Sequence, residues 1–282
     1  MKMELNMKQN LTQKSGREEA NPPCPPVSHR SALPTRLCNK KRRLRRIPAI
    51  LAALLLLLAA AFFAYTQDYY HAAPEALAAL ESDETVAISE TDYGWFFDGP
   101  SETDLLAFYP GAKVEAEAYA PFLHLLAANG IDVCLVRMPL RLAIFGKDRS
   151  DALWSKYTHP NRYIGGHSLG GAIASEYAAR HADLLSGLVL CASYPVEPLP
   201  ESLRTIQIYG SRDTVLNPKR MERASAFFPE SAAITVLPGA NHAGFGNYGT
   251  QKGDGTTSLP PEKQQKEAAE KICSFLFEKE QP

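Results

Sequence analysis

The segment Gly165-Gly166-His167-Ser168-Leu169-Gly170-Gly171 limits the folds open to this chain more than any other stretch. A short apolar run ending at Tyr163-Ile164 precedes it, and an alanine-rich helical pattern from Ala172 to Arg180 follows. Strand, Gly-x-Ser-x-Gly and helix in that order make a turn too tight for side chains at its flanks, so glycines occupy them. The serine is forced to the tip, its hydroxyl exposed beside a helix N-terminus. Such a serine attacks a carbonyl once a base takes its proton. A glycine-rich strand-to-helix turn carrying an uninvolved serine would look the same locally, so the reading depends on partners elsewhere.

A neutral serine needs a histidine base, and the histidine needs an acid to hold its tautomer and stabilise its cation. On a strand–turn–helix scaffold the order is Ser, then Asp or Glu, then His. Of seven histidines only His181 and His242 follow Ser168. His181 closes the helix that Ser168 opens and points away from it. His242 lies in Pro238-Gly239-Ala240-Asn241-His242, just past the strand-like Ala233-Ile234-Thr235-Val236-Leu237. Between Ser168 and His242, the strand-like Thr205-Ile206-Gln207-Ile208-Tyr209-Gly210 runs into Ser211-Arg212-Asp213. Asp213 is therefore the candidate acid. Singly, each residue fits a bland role: a loop histidine, or a turn or capping aspartate. The three in this order, all at strand ends, point to catalysis together.

A developing oxyanion requires two preorganised N–H donors. The backbone N–H of Leu169 is one expectation. The other is the N–H of Ala112, in the loop Pro110-Gly111-Ala112-Lys113 after the strand-like Leu105-Leu106-Ala107-Phe108-Tyr109. An ordinary turn between strand and helix would look much the same.

These motifs, with Tyr209-Gly210-Ser211-Arg212-Asp213 and Gly239-Ala240-Asn241-His242, resemble the α/β-hydrolase superfamily over about residues 85 to 278. The resemblance is to its lidless, dienelactone-hydrolase-like branch, and to bacterial membrane-anchored members of poorly defined substrate. It implies a doubly wound, mostly parallel sheet flanked by helices. Dienelactone hydrolases use a cysteine nucleophile; Ser168 stands here. Haloalkane dehalogenases and epoxide hydrolases use an aspartate. The family's His-Gly start of the oxyanion loop is replaced by Pro110-Gly111.

The net charge of −1 conceals an asymmetry. Residues 1–46 carry 12 Lys+Arg against 3 Asp+Glu, net +9, and the remainder is net −10. The positive block ends in Lys40-Lys41-Arg42-Arg43-Leu44-Arg45-Arg46 and abuts an uncharged run from Ile47 to Gln67 centred on Leu54-Leu55-Leu56-Leu57-Leu58. About 20 apolar residues span a bilayer. A basic flank stays cytoplasmic, which exports everything after the run. Residues 1–46 are expected to be a disordered cytoplasmic tail, 47–67 a transmembrane signal anchor, 68–84 a short juxtamembrane helix and linker, and 85–282 the catalytic domain. Ala59-Ala60-Ala61 offers an alternative signal-peptidase site, which would release a secreted domain. No basic surface for nucleic acid is expected on the acidic domain. Five cysteines suggest no disulfide framework. No spacing reads as a metal site, and the chemistry requires no cofactor.

Past a starting hairpin, strands and helices alternate to the C-terminus, the pattern of a parallel sheet covered on both faces. Tyr194 to Arg204 is too short for the lid that many superfamily members insert there. The glycine-rich loop from Ala243 to Glu262 leaves directly from His242, and its Phe245 and Tyr248 are candidate pocket walls. Gly111, His167 and Met138 are further pocket candidates, at the sheet edge where ligands bind. Together these point to a membrane-anchored serine hydrolase acting on a small ester-like substrate. A non-catalytic tethered binding module and an acyltransferase are the alternatives.

Overall fold

The computed structural model describes residues 36–278, with side chains from Arg46. The chain divides into two compact units, one ending at Leu57 and the other starting at Leu58. Helix α1 (Arg36–Gln67) runs across that boundary. Its segment Arg46–Gln67 contains an 18-residue window with a mean hydropathy of 2.7 and no residue buried by the protein, enough length and apolarity to cross a membrane; Thr66, near the helix end, is buried. The helix begins ten residues before the expected end of the tail. Lys and Arg are good helix formers, so the basic block extends the helix rather than ending it. Residues 1–35 of the expected tail lie outside the described residues.

The second unit is an eight-stranded sheet with helices on both faces. Its strands are β1 (Ala87–Thr91), β2 (Gly94–Asp98), β3 (Asp104–Tyr109), β4 (Asp132–Val136), β5 (Asn161–His167), β6 (Gly187–Cys191), β7 (Thr205–Gly210) and β8 (Ala233–Leu237). They lie in the order β1-β2-β4-β3-β5-β6-β7-β8. The β1–β2 hairpin and the β2–β4 pairing are antiparallel, and every other pairing is parallel. The helices are α2 (Pro74–Ala78), α3 (Ala120–Ala128), α4 (Ser150–Lys156), α5 (Leu169–Arg180), α6 (Pro218–Ala224) and α7 (Pro261–Phe277). The expected helix at 68–84 is thus reduced to five residues.

Parallel strands covered on both faces read as continuous apolar runs, and β3, β4 and β6 are buried throughout. Alternation along β3 splits the core in two. Leu106 and Phe108 join Phe122, Leu126, Ile272 and Leu276 beneath α3 and α7. Leu105, Ala107 and Tyr109 join Trp154, Ile173 and Tyr177 beneath α4 and α5. Between β6 and β7 no helix is inserted, and Leu199 and Leu203 anchor the connection in the second core. No lid covers the C-terminal edge of the sheet from this position.

Candidate active site

Ser168 is the single residue between β5 and α5. Its φ of 53° and ψ of −121° are conformations that an L-residue adopts only under constraint, at a cost of about 1–3 kcal/mol. Backbone bonds hold it there. Its N–H donates to the Cys191 carbonyl at 3.0 Å, and its carbonyl accepts the Ser193 hydroxyl at 2.8 Å. The glycines let the turn press against the end of β3. A Cβ on Gly170 would lie 2.1 Å from the Tyr109 carbonyl oxygen and 2.4 Å from that of Pro110. A Cβ on Gly166 would lie 2.5 Å from the Tyr109 oxygen. The Ser168 turn and the candidate oxyanion loop are therefore packed backbone to backbone.

Asp213 follows β7 and His242 follows β8, so both reach the C-terminal edge that Ser168 occupies. His242 Nδ1 donates to Asp213 Oδ2 at 2.8 Å, and both side chains are 1% exposed. The second Asp213 oxygen accepts the N–H groups of Val215 and Leu216, each at 2.9 Å. The carboxylate is thus fixed on both sides and fixes the ring tautomer. The other ring nitrogen, His242 Nε2, is buried and has no hydrogen-bond partner among the described residues. A buried polar atom of this kind calls for a partner. His242 and Ser168 line one cleft of about 280 Å³, together with Leu169, Ala172, Ser193, Tyr194, Val196, Val215, Leu216 and Arg220.

Leu169 is the first residue of α5, where backbone N–H groups have no partner within the helix. The Ala112 N–H makes no hydrogen bond with another described residue. The N–H of Gly111 is committed, donating to Tyr119 Oη at 3.1 Å. Tyr119 Oη donates in turn to His167 Nδ1 at 2.8 Å, and His167 Nε2 donates to the His242 carbonyl at 3.0 Å. That carbonyl can only accept, which settles the direction of the chain. Burial, and then the adjacent His242, hold the His167 pKa well below 6.5, so the ring is neutral. A continuous buried relay therefore joins the loop at Gly111 to the backbone of His242.

Of the five pocket candidates, none lines the Ser168 cleft. Gly111 and His167 belong to the relay behind it. Met138 lines a separate cavity of about 330 Å³, with Pro110, Val114, Leu140 and Arg141. Phe245 and Tyr248 are buried in the core beneath α3 and α7. Phe245 packs edge-on to Phe122 at 6.2 Å, and Tyr248 lies 5.5 Å from Tyr70. Burying two aromatic rings draws this loop back onto the core rather than over the cleft.

Sequence reading missed Asp254 entirely. One of its oxygens accepts the His242 N–H at 3.1 Å, and the other accepts the Ala243 N–H at 2.8 Å. The available signal was an acid between Gly253 and Gly255 in a loop leaving the histidine. Cys134 and Cys191 are free thiols whose pKa values burial pushes up, which keeps them protonated and inert. Among the described residues, no three His, Cys, Asp or Glu side chains converge in a way that could hold a metal.

Solved structures with this fold include a membrane phospholipase A termed a bacterial virulence factor, 13% identical, with a TM-score of 0.51 over 84% of this chain and 97% of that one. Another is a monoacylglycerol lipase from Paleococcus ferrophilus, 13% identical, with a TM-score of 0.50 over 68% of this chain and 100% of that one. A dienelactone hydrolase from Anabaena variabilis ATCC 29413 is 13% identical, with a TM-score of 0.47 over 68% and 96%. At such identities the likeness concerns the fold alone. No curated protein sequence matches this chain. Residues 105–266, more than half of the chain, match the profile of the alpha/beta hydrolase family. With its sheet order and its strand–turn–helix serine, the chain belongs to that family.

Proposed function

We propose that this protein is a serine hydrolase that cleaves a carboxylic-ester-type bond through an acyl-enzyme. The observation that carries the reading is His242 Nε2, buried without a partner in the cleft it shares with a conformationally constrained Ser168. His242 Nε2 takes the Ser168 proton as Oγ bonds to the substrate carbonyl carbon. The carbonyl oxygen gains the negative charge and is held by the N–H groups of Leu169 and Ala112. His242 then protonates the leaving alcohol as the carbon–oxygen bond breaks. Water, deprotonated by His242, attacks the acyl-enzyme, and the acid leaves as the proton returns to Ser168. Asp213 holds the Nδ1–H throughout and stabilises the imidazolium.

The apolar run of α1, with its basic flank, supports a single-pass anchor that places the catalytic domain outside the cytoplasm. Protease added to intact spheroplasts would then digest the domain, and a domain protected until lysis would overturn that topology.

The activity is tested with p-nitrophenyl esters and the detergent-solubilised full chain. Hydrolysis is expected to be lost in Ser168→Ala. Equal rates for the parent and Ser168→Ala would place the chemistry elsewhere.

A further inference from the structure

Strands β3, β4 and β5 are parallel neighbours, so the segment after β4 leaves at the same edge as Ser168. That segment, Pro139 to Arg149, departs from ordinary domain surface. Leu140, Ile144 and Phe145 are large apolar side chains left about half exposed. Arg141, Lys147 and Arg149 lie among them, with one acid, Asp148. Leu140 and Arg141 both hold positive φ, at 53° and 57°.

The segment is also tied to the end of the apolar helix. The Phe145 ring meets the Phe62 ring edge-on, with centroids 6.0 Å apart. The Arg141 guanidinium lies 3.3 Å over the Tyr69 ring, and the Lys113 ammonium lies 4.2 Å over the Tyr65 ring. The chain leaving the helix is stitched to the candidate oxyanion loop. Tyr70 N–H donates to the Lys113 carbonyl at 2.7 Å, and Glu115 N–H donates to the Tyr70 carbonyl at 2.9 Å. Helix end, Ser168 edge and apolar segment therefore keep a fixed spacing.

Phe62 lies five residues inside the helix end at Gln67, roughly 7.5 Å along the axis at 1.5 Å per residue. Apolar faces of interfacial elements sink about 5–10 Å past the headgroup boundary. A side chain touching Phe62 falls within that depth if the helix spans a bilayer.

We infer that Pro139–Arg149 is a docking element that seats the Ser168 edge on the surface of the bilayer holding α1, and that the substrate is a long-chain acyl ester partitioned into that bilayer. The occupant of the patch is lipid. Ile144 and Phe145 enter the acyl-chain boundary, and Arg141 and Arg149 stay at phosphate level. Val196, half exposed, adds an apolar side chain to the wall of the Ser168 cleft. The inference rests on the hydrolase and anchor readings given above and adds to them the phase from which substrate arrives.

The test uses the full chain reconstituted in phosphatidylcholine vesicles carrying lipids brominated near the carbonyl end. Tryptophan is introduced at Phe145, and as a control at Leu184, an exposed residue before β6 at the opposite edge of the sheet. Quenching is measured beyond that of the parent chain, which contains Trp95 and Trp154. Strong quenching of Phe145→Trp with none in Leu184→Trp is expected. Equal quenching overturns the docking, whether or not the protein hydrolyses anything. Failure of the chain to float with the vesicles overturns the anchor and the docking together.

The substrate class is read from the double variant Ile144→Glu/Phe145→Glu. Its hydrolysis of p-nitrophenyl palmitate held in the vesicles is expected to fall at least about tenfold, with p-nitrophenyl acetate cleaved within about twofold of the parent rate. Unchanged palmitate hydrolysis overturns the substrate assignment. A parent chain inert toward both esters overturns the hydrolase reading and leaves the quenching result to decide docking alone.

Discussion

The carboxylate of Asp254 accepts the backbone N–H of His242 at 3.1 Å and that of Ala243 at 2.8 Å, one through each oxygen. The loop beyond the histidine thus doubles back to clamp the histidine's own backbone. Thr214 Oγ1 donates to the Gly253 carbonyl at 2.8 Å, tying the same turn to the strand end that carries Asp213. Asp213 sets the orientation of the imidazole, and Asp254 sets its position.

Asp254→Ala should therefore act on catalysis through His242. Removing the carboxylate leaves the backbone N–H groups of His242, Ala243 and Gly255 unpaired, each costing about 1–3 kcal/mol where water cannot reach. Small misplacements of a catalytic group cost up to about 10²-fold in rate. We expect kcat to fall about 10–100-fold with KM little changed, and Asp254→Asn, which keeps one acceptor, to fall less. Steady-state kinetics on both variants decide it. An unchanged kcat in a folded Asp254→Ala protein contradicts the positioning role.

Asp213→Asn keeps the shape of the side chain and removes the charge that fixes the Nδ1–H tautomer. Ester hydrolysis is expected to fall about 10⁴-fold at neutral pH. A loss below tenfold would mean that another group holds His242.

Ala112→Pro deletes the one N–H of its loop that the structure leaves free for an oxyanion. Loss of a single such donor costs about 10²–10³ in rate. The expected signature is a fall in kcat, with the circular dichroism spectrum of the parent retained. Activity within tenfold of the parent would assign the second donor to another group.

The neutral state of His167 predicts how stability varies with pH. Its pKa in the folded chain lies well below 6.5, the ordinary value that applies once the chain unfolds. Below that ordinary value the unfolded chain binds a proton that the folded chain refuses, so stability falls as pH drops. One such proton contributes up to about 1.4 kcal/mol per pH unit. Denaturant midpoints measured at about pH 8 and about pH 5.5 should differ more for the parent than for His167→Gln. Equal differences in the two would remove His167 from the acid response.

The fold was legible because its signals are local. β8 coincides with its strand-like run, Ala233–Leu237, and β3 starts one residue before its apolar run, at Asp104. The gathering of Ser168, Asp213 and His242 was legible because each sits in a turn after a strand, and parallel strands bring all such turns to one edge. Phe245 and Tyr248 were misplaced because their sequence does not state which way a loop folds. Their aromatic area is satisfied equally by a cleft wall or by the core, and contact with Phe122, Tyr119 and Tyr70 decides the matter. Tyr119 acts through a long-range hydrogen bond that no local pattern encodes, and the only local sign of Asp254 was its place between two glycines in the loop leaving His242. The early start of α1 was hidden by reading charge as disorder, although Lys and Arg favour helix.

Fluorophosphonate labelling of the full chain, followed by peptide mapping, tests the central claim most directly. The account predicts one adduct, on Ser168, abolished in Ser168→Ala and strongly slowed in Asp213→Asn. A folded protein that takes no label, or that takes it on Ser193 across the same cleft, would contradict the assignment of Ser168 as the activated nucleophile.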